Sequence, residues 1–326
     1  MRAPASFVLA LLTAACSPAE PRAATASGME ALPGTDLPAT TVPPPEEPLP
    51  SPSTPPAASA PPISKPAEAP AGMLLVPGGT FLMGLDAGGQ LDEAPAHEVT
   101  LKPFYLDVTE VTNNAYNACV AKGTCRAHDA DSAAVNKLGK DRDYRRPQQP
   151  ISAVSWDDAT TFCGSVGKRL PREAEWERAA RGDDARAFPW GNEKPTRERA
   201  VFGEAHTADV GSREKGKGPY GHHDLAGNVW EWVEDVYDPY AYRRGTAKEG
   251  VPGTCEEVLA AQDELRRRKQ QGFTGTNPIP RECERGLRGG AFNYDGPGLR
   301  SSNRVHHPGR YRLVMSGFRC AQDVPP

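Results

Sequence analysis

The chain has 326 residues, 38% hydrophobic and 25% charged, enough to bury one substantial core. Its formal charge of −4 gives no electrostatic pull toward nucleic acid, so nucleic acid is excluded as an expected partner. Its 32 glycines and 34 prolines predict a loop-rich fold, low-complexity segments, or both.

The first element in chain order is a processing signal over residues 1–16. Arg2 supplies a positive charge, Phe7–Leu12 form an apolar run too short to span a bilayer, and Thr13-Ala14-Ala15-Cys16 follow. The small-small-Cys ending resembles a bacterial lipobox, which implies cleavage before Cys16, lipidation of that residue and membrane attachment through the lipid. Residues 17–72 are dominated by proline, alanine, serine, threonine and glutamate. They cannot offset their ordering entropy by burial and are expected to form a disordered Pro/Ala-rich linker. Residues 73–326 are then expected to form one exported domain, periplasmic or surface-facing, held at the cell membrane or outer membrane.

Within that domain, Met73–Gly84 (M-L-L-V-P-G-G-T-F-L-M-G) predicts two short strands around a Pro-Gly-Gly turn, and Leu101–Asp107 predicts another strand. Thr112 is placed to cap a helix whose Ala115, Tyr116, Cys119 and Val120 share a face, with Gly123 as its stop. Ser155 caps a second helix, with Ala159, Phe162, Cys163 and Val166 at helical spacing. Pro171 opens a third that runs through Arg181 and ends at Gly182. Beyond it the chain is rich in Gly, Pro, Asn and Tyr, and short strands held by loops are expected. Leaving out Cys16, six cysteines remain, an even number that in an oxidising compartment suggests disulfides; sequence alone leaves their connectivity open.

The motifs then add up in order. V-P-G-G-T-F-L-M-G (Val76–Gly84), D-E-A-P-A-H-E-V (Asp92–Val99), F-Y-L-D-V-T-E-V-T-N (Phe104–Asn113) and P-I-S-A-V-S-W-D-D-A (Pro150–Ala159) open the series. They are followed by G-K-R-L-P-R-E-A-E-W-E-R-A-A-R-G (Gly167–Gly182), P-W-G-N (Pro189–Asn192), L-A-G-N-V-W-E-W (Leu225–Trp232), L-R-G-G-A-F (Leu287–Phe292) and G-F-R-C-A (Gly317–Ala321). The ordered set resembles the sulfatase-modifying-factor, or formylglycine-generating-enzyme-like, family over Met73–Gln322. The resemblance implies an α+β, variant C-type-lectin-like fold with little regular secondary structure, here with an insertion at about 236–285.

The resemblance also implies site residues. In the family, the loop matching His223–Trp232 is similar to a structural Ca²⁺ site, which would place Asp224, Gly227 and Val229 as carbonyl ligands and Glu231 as a carboxylate ligand. Such hard oxygens on an irregular loop suit calcium. It further implies a Cys163–Cys320 disulfide; Cys119–Cys125 and Cys255–Cys283 are then the pairs that remain. Catalytic members hold Cu(I) on two cysteines shortly after the R-G-G motif, and soft thiolates suit that ion. Matched on Arg288-Gly289-Gly290, those positions are Tyr294 and Leu299, and a serine kept by relatives is Ala291. No cysteine occurs from Glu284 to Met315. Copper-dependent oxidation is therefore not expected, and no copper cofactor with it.

Other features read as structural. Arg172 stands where relatives often carry a capping threonine, a loss of about 1 kcal/mol unless Pro171 or water compensates. Trp176, Trp190, Trp230 and Trp232 are expected in the core or a groove wall. The His222-His223 and His306-His307 pairs are weak metal candidates, the trio Tyr294, Asp295 and His307 a weak acid–base one. Glu264–Lys269 is expected as a solvated surface. The expected function is an exported, lipid-anchored binding or scaffold module for a peptide, glycan or envelope protein. The alternative is a family enzyme with a non-standard active site.

Overall fold

The computed structural model describes residues 69–127, 144–245, 253–267 and 282–325. The signal, Cys16 and nearly all of the linker lie outside the described residues, as does the middle of the insertion.

Strands β1 (Met73–Val76) and β2 (Gly79–Met83) form on either side of the Pro77-Gly78 turn, but they do not pair with each other. β1 runs antiparallel to β4 (Phe104–Asp107), and β2 to β3 (His97–Leu101). The strand predicted from Leu101 to Asp107 is therefore two elements. Pro103 carries no backbone N–H and breaks the run, so Leu101 ends β3 and Phe104 begins β4. Further along come β5 (Trp230–Val236), β6 (Glu284–Arg288), β7 (Arg304–Pro308), β8 (Ser316–Gly317) and β9 (Ala321–Asp323). They complete a sheet of order β1-β4-β9 and a four-stranded sheet of order β7-β6-β5-β8.

The helices follow their caps. In α1 (Asn113–Ala121) the Thr112 hydroxyl accepts the Ala115 N–H at 3.2 Å, and in α2 (Trp156–Ser165) Ser155 and Asp158 form a reciprocal capping box. Tyr116, Cys119, Ala159, Phe162 and Cys163 turn inward, whereas Ala115 and Val166 do not: Ala115 is exposed and Val166 lies just past the last turn, 50% exposed. α3 (Glu173–Arg181) is buried along its whole length. Its cap shows how the Arg172 substitution is tolerated. The Arg172 side chain provides no cap, yet Glu175 still accepts the Arg172 N–H at 2.8 Å, and Asp235 of β5 accepts the Glu173 N–H at 2.7 Å. A carboxyl oxygen from the neighbouring sheet thus supplies the acceptor that the helix's own sequence lacks. Helices also extend beyond the first half of the domain, contrary to expectation: the short α4 (Ala241–Arg244) and α5 (Cys255–Arg267), the latter in the insertion.

Cys119–Cys125, Cys163–Cys320 and Cys255–Cys283 form three disulfides. Cys163–Cys320 lies inside the main core with Phe162, Trp230, Trp232, Phe292 and Phe318, and ties α2 to the C-terminal segment. A second core packs Trp176 and Ala180 of α3 against Phe81, Val99 and Leu106. Trp176, Trp230 and Trp232 are no more than 2% exposed.

Candidate functional site

The two faces of β5 divide the site. Trp230 and Trp232 lie in the main aromatic core, with the Trp232 indole donating to the Val154 carbonyl at 3.0 Å; Glu231 between them points the other way, as strand alternation requires. Fully buried, Glu231 accepts from the Trp176 indole at 2.9 Å and from Arg319 through both oxygens, at 2.6 and 2.8 Å. Arg319 also donates to the carbonyls of Asp107, Val108 and His223, at 3.2, 3.3 and 2.9 Å. A buried guanidinium is therefore held in an all-oxygen cage built by β4, the turn after it and the loop leading into β5.

Two more carboxylates share this space. Asp224 is 6% exposed, sits at φ 56°, and accepts the Gly211 N–H at 2.5 Å; Glu110 is 2% exposed, and its buried carboxyl meets that of Asp224. Burial pushes the Glu110 carboxyl well up from its ordinary range, and the negative charges of Asp224 and Glu231 add to the rise. Asp224 and Glu231 are also raised, again mainly by burial, while Arg319 opposes the shift. Three buried carboxyl groups thus share one guanidinium, and burial favours the protonated form of each, Glu110 most strongly. The loop between Asp224 and Glu231 depends on Gly227: at φ +90°, an added Cβ would stand 2.4 Å from the Val201 carbonyl oxygen. The donor set, hard oxygens on an irregular loop, is of the kind calcium takes. Glu231 would have to share its carboxylate between the ion and Arg319. Sequence reasoning missed Glu110; the available signal was an acid next to Val111 in the F-Y-L-D-V-T-E-V-T-N motif.

The positions matched to the copper cysteines look different. Leu299 ends a 3₁₀ turn (Gly296–Leu299) and is fully buried in a small apolar cluster with Phe188, Ala200 and Ala226. Gly290, at φ +83°, allows that packing, since a Cβ there would lie 2.6 Å from Leu299 Cδ2. Ala291 is fully buried beside it in sequence, whereas Tyr294 is 36% exposed and meets the Trp230 ring edge-on at 5.2 Å. Trp190, half-buried, stacks on Phe188 at 5.2 Å. All six cysteines of the domain are in disulfides.

The histidine pairs do not converge. His222 is fully buried, and burial with the nearby Arg319 charge holds it down at about 3; His223 approaches Glu214 at 3.8 Å. His306 bonds Glu284 and stacks on Tyr237 at 3.9 Å, while His307 stacks on Tyr311 at 5.9 Å. His307 thus packs with Tyr311 on β7, and Tyr294 with Trp230. Among the described residues no group of three or more His, Cys, Asp or Glu side chains is arranged to hold a metal ion. Nor did the sequence reading anticipate the ion-pair lattice beside Trp176. There, buried Arg304 meets Glu173 at 2.8 Å through two nitrogens, and buried Arg288 pairs with Glu177.

Residues 59–324 match the sequence profile of the sulfatase-modifying factor enzyme 1-like domain. The chain is 36% identical over 237 residues to the formylglycine-generating enzyme of Streptomyces coelicolor, covering 56% of this chain and 75% of that one. It is 33% identical over 225 residues to the inactive C-alpha-formylglycine-generating enzyme 2 of Mus musculus, covering 53% and 71%. A serine/threonine-protein kinase pkn1 of Chlamydia pneumoniae is 33% identical over 275 residues, 80% of this chain but 39% of the kinase, so the chain spans well under half of that relative. Among solved structures, PvdO from Pseudomonas aeruginosa superposes with a TM-score of 0.61 at 25% identity, covering 80% of this chain and all of PvdO (100%). The fold is the formylglycine-generating-enzyme-like, variant C-type-lectin-like one. On the profile and the Streptomyces relative together, the chain belongs to the sulfatase-modifying factor enzyme 1-like domain family.

Proposed function

We propose that the protein is an exported module, anchored through a lipid on Cys16, whose family domain binds a peptide, glycan or envelope protein and does not carry out copper-dependent cysteine oxidation. The observation that carries this reading is the pair Tyr294 and Leu299. One position is an aromatic ring at the surface and the other a fully buried leucine, and every cysteine of the domain is bonded to another. Cu(I) asks for soft thiolates, and neither side chain offers one. The likeness to an inactive mouse relative is compatible with the same reading.

Two measurements test it. The purified chain should retain no tightly bound copper and consume no oxygen with a Cys-x-Pro-x-Arg peptide; either activity would restore the enzyme reading. Palmitate labelling should be lost in Cys16→Ala, and labelling that persists would remove the anchor. Among the described residues no helix is long and apolar enough to cross a membrane.

We also propose that Ca²⁺ is bound structurally at the Asp224–Glu231 loop, with the carbonyls of Asp224, Gly227 and Val229 and the carboxylate of Glu231 as its ligands. The cluster of buried carboxyl oxygens around this loop supports this. Calcium should raise the melting temperature of chelator-treated protein, and Glu231→Gln should abolish the rise. No rise in the wild type would end the proposal.

A further inference from the structure

Three hydrogen-bond donors behind Tyr294 have no acceptor. The Trp230 indole Nε1, the Asn228 side-chain Nδ2 and the Thr207 hydroxyl are all buried, on residues no more than 2% exposed, and none of these atoms has a hydrogen-bond partner. Buried polar groups in folded proteins are nearly always satisfied, so three orphans in one neighbourhood call for an acceptor.

The backbone brings them together. The Asn228 Oδ1 accepts the Ala208 N–H at 3.0 Å, which sets its amide one residue from Thr207. The Asn228 carbonyl accepts the Phe292 N–H at 2.9 Å, and the Tyr294 carbonyl accepts the Gly203 N–H at 2.9 Å. Trp230, two residues beyond Asn228, meets the Tyr294 ring at 5.2 Å. The segments 203–208, 228–230 and 292–294 are thus laced into one patch, with Gly203, Ala205, His206, Asn293 and Tyr294 on its exposed side. All three orphan groups are neutral and act as donors: the indole N–H can do nothing else, the amide already uses its oxygen, and the hydroxyl is free to rotate. Unpartnered donors on one patch, without a lysine or arginine among them, suit the oxygens of a carboxylate, which accepts several hydrogen bonds at once.

We propose that Trp230, Asn228 and Thr207 form a carboxylate subsite, entered past Tyr294, that takes an acidic group of the ligand. This rests on the reading of the domain as a binding module. Acetate probes the subsite without any peptide, so a failed peptide screen and a silent subsite are separate results.

The test follows the Trp230 indole N–H resonance in ¹⁵N-labelled full-length protein, assigned by its loss in Trp230→Phe. At constant ionic strength acetate should shift it saturably, while acetamide and chloride should not. Thr207→Val, which removes the hydroxyl at nearly constant volume, should weaken acetate binding by about tenfold, as expected for one lost hydrogen bond to a charged group. A resonance unmoved by acetate, moved equally by acetamide, or moved with the same affinity in Thr207→Val would overturn the subsite and leave an internal water as the acceptor.

Discussion

His222 makes a sharp test of how burial governs the stability of this domain. Its side chain is fully buried and its pKa is held at about 3 against an ordinary 6.5, first by burial and then by the Arg319 charge. Hydrogen bonding with the backbone of Leu106 and Leu74 works in the opposite direction and does not prevail. The folded state therefore keeps His222 neutral where the unfolded chain would protonate it. The contribution is complete above pH 6.5 and shrinks as the pH falls toward 3. Each pH unit in that window costs about 1.4 kcal/mol, giving about 2 kcal/mol at pH 5 and a ceiling near 5 kcal/mol below pH 3. Against a net stability of roughly 5–15 kcal/mol for a domain, that is a large share. The perturbation is His222→Gln, which cannot titrate but keeps an amide able to bond the same carbonyls. Urea unfolding of both proteins at pH 7.5, 6 and 5 gives the double difference. The wild type should lose about 2 kcal/mol more than the variant between pH 7.5 and 5. Parallel losses would refute the argument and would mean that His222 is already solvated or charged in the folded state.

Two further substitutions probe the frame. Asp235 is pushed up to about 8 by burial and by the Glu173 charge, above its unfolded value, so its contribution is present at low pH and lost as pH rises through 8. Asp235→Asn keeps an acceptor for the Glu173 N–H and should be more stable than wild type at pH 9, by an amount that vanishes near pH 4; a pH-independent difference would contradict this. Cys163 and Cys320 are 157 residues apart, and closing a loop of that size restricts the unfolded chain by about 5 kcal/mol. A Cys163→Ala, Cys320→Ala double variant should show a much lower urea midpoint, and a midpoint within error of wild type would show that the bridge is dispensable.

Much of this fold was legible because local chemistry and the global arrangement agree. Thr112 and Ser155 cap the helices they were expected to cap, and the Pro77-Gly78 turn separates two strands. Strand pairing was not legible: β1 and β2 are neighbours in sequence yet belong to different sheets, and no local pattern announces a partner beyond position 300. The cap of α3 was misjudged for a related reason, since Asp235 reaches it from 62 residues away. At the site, Glu231 stood out through its motif. Glu110 and the donors behind Tyr294 did not, because a buried polar group becomes visible only once its surroundings are in place.

The last strand has a consequence for how the domain is made. β9 pairs with β4 across more than 200 residues, Phe104 opposite Asp323, while Arg169 clamps Asp323 and Cys320 reaches back to Cys163. Contacts of such long sequence separation make folding slow, because the ends must meet before the sheet repays the cost of the loop. A chain emerging from its N-terminus cannot finish the core until β9 and Cys320 arrive. Removing the seven residues Cys320–Pro326 would then delete an edge strand, an ion-pair clamp and a covalent tie together, leaving β4 as an open edge through which unfinished chains could pair with one another.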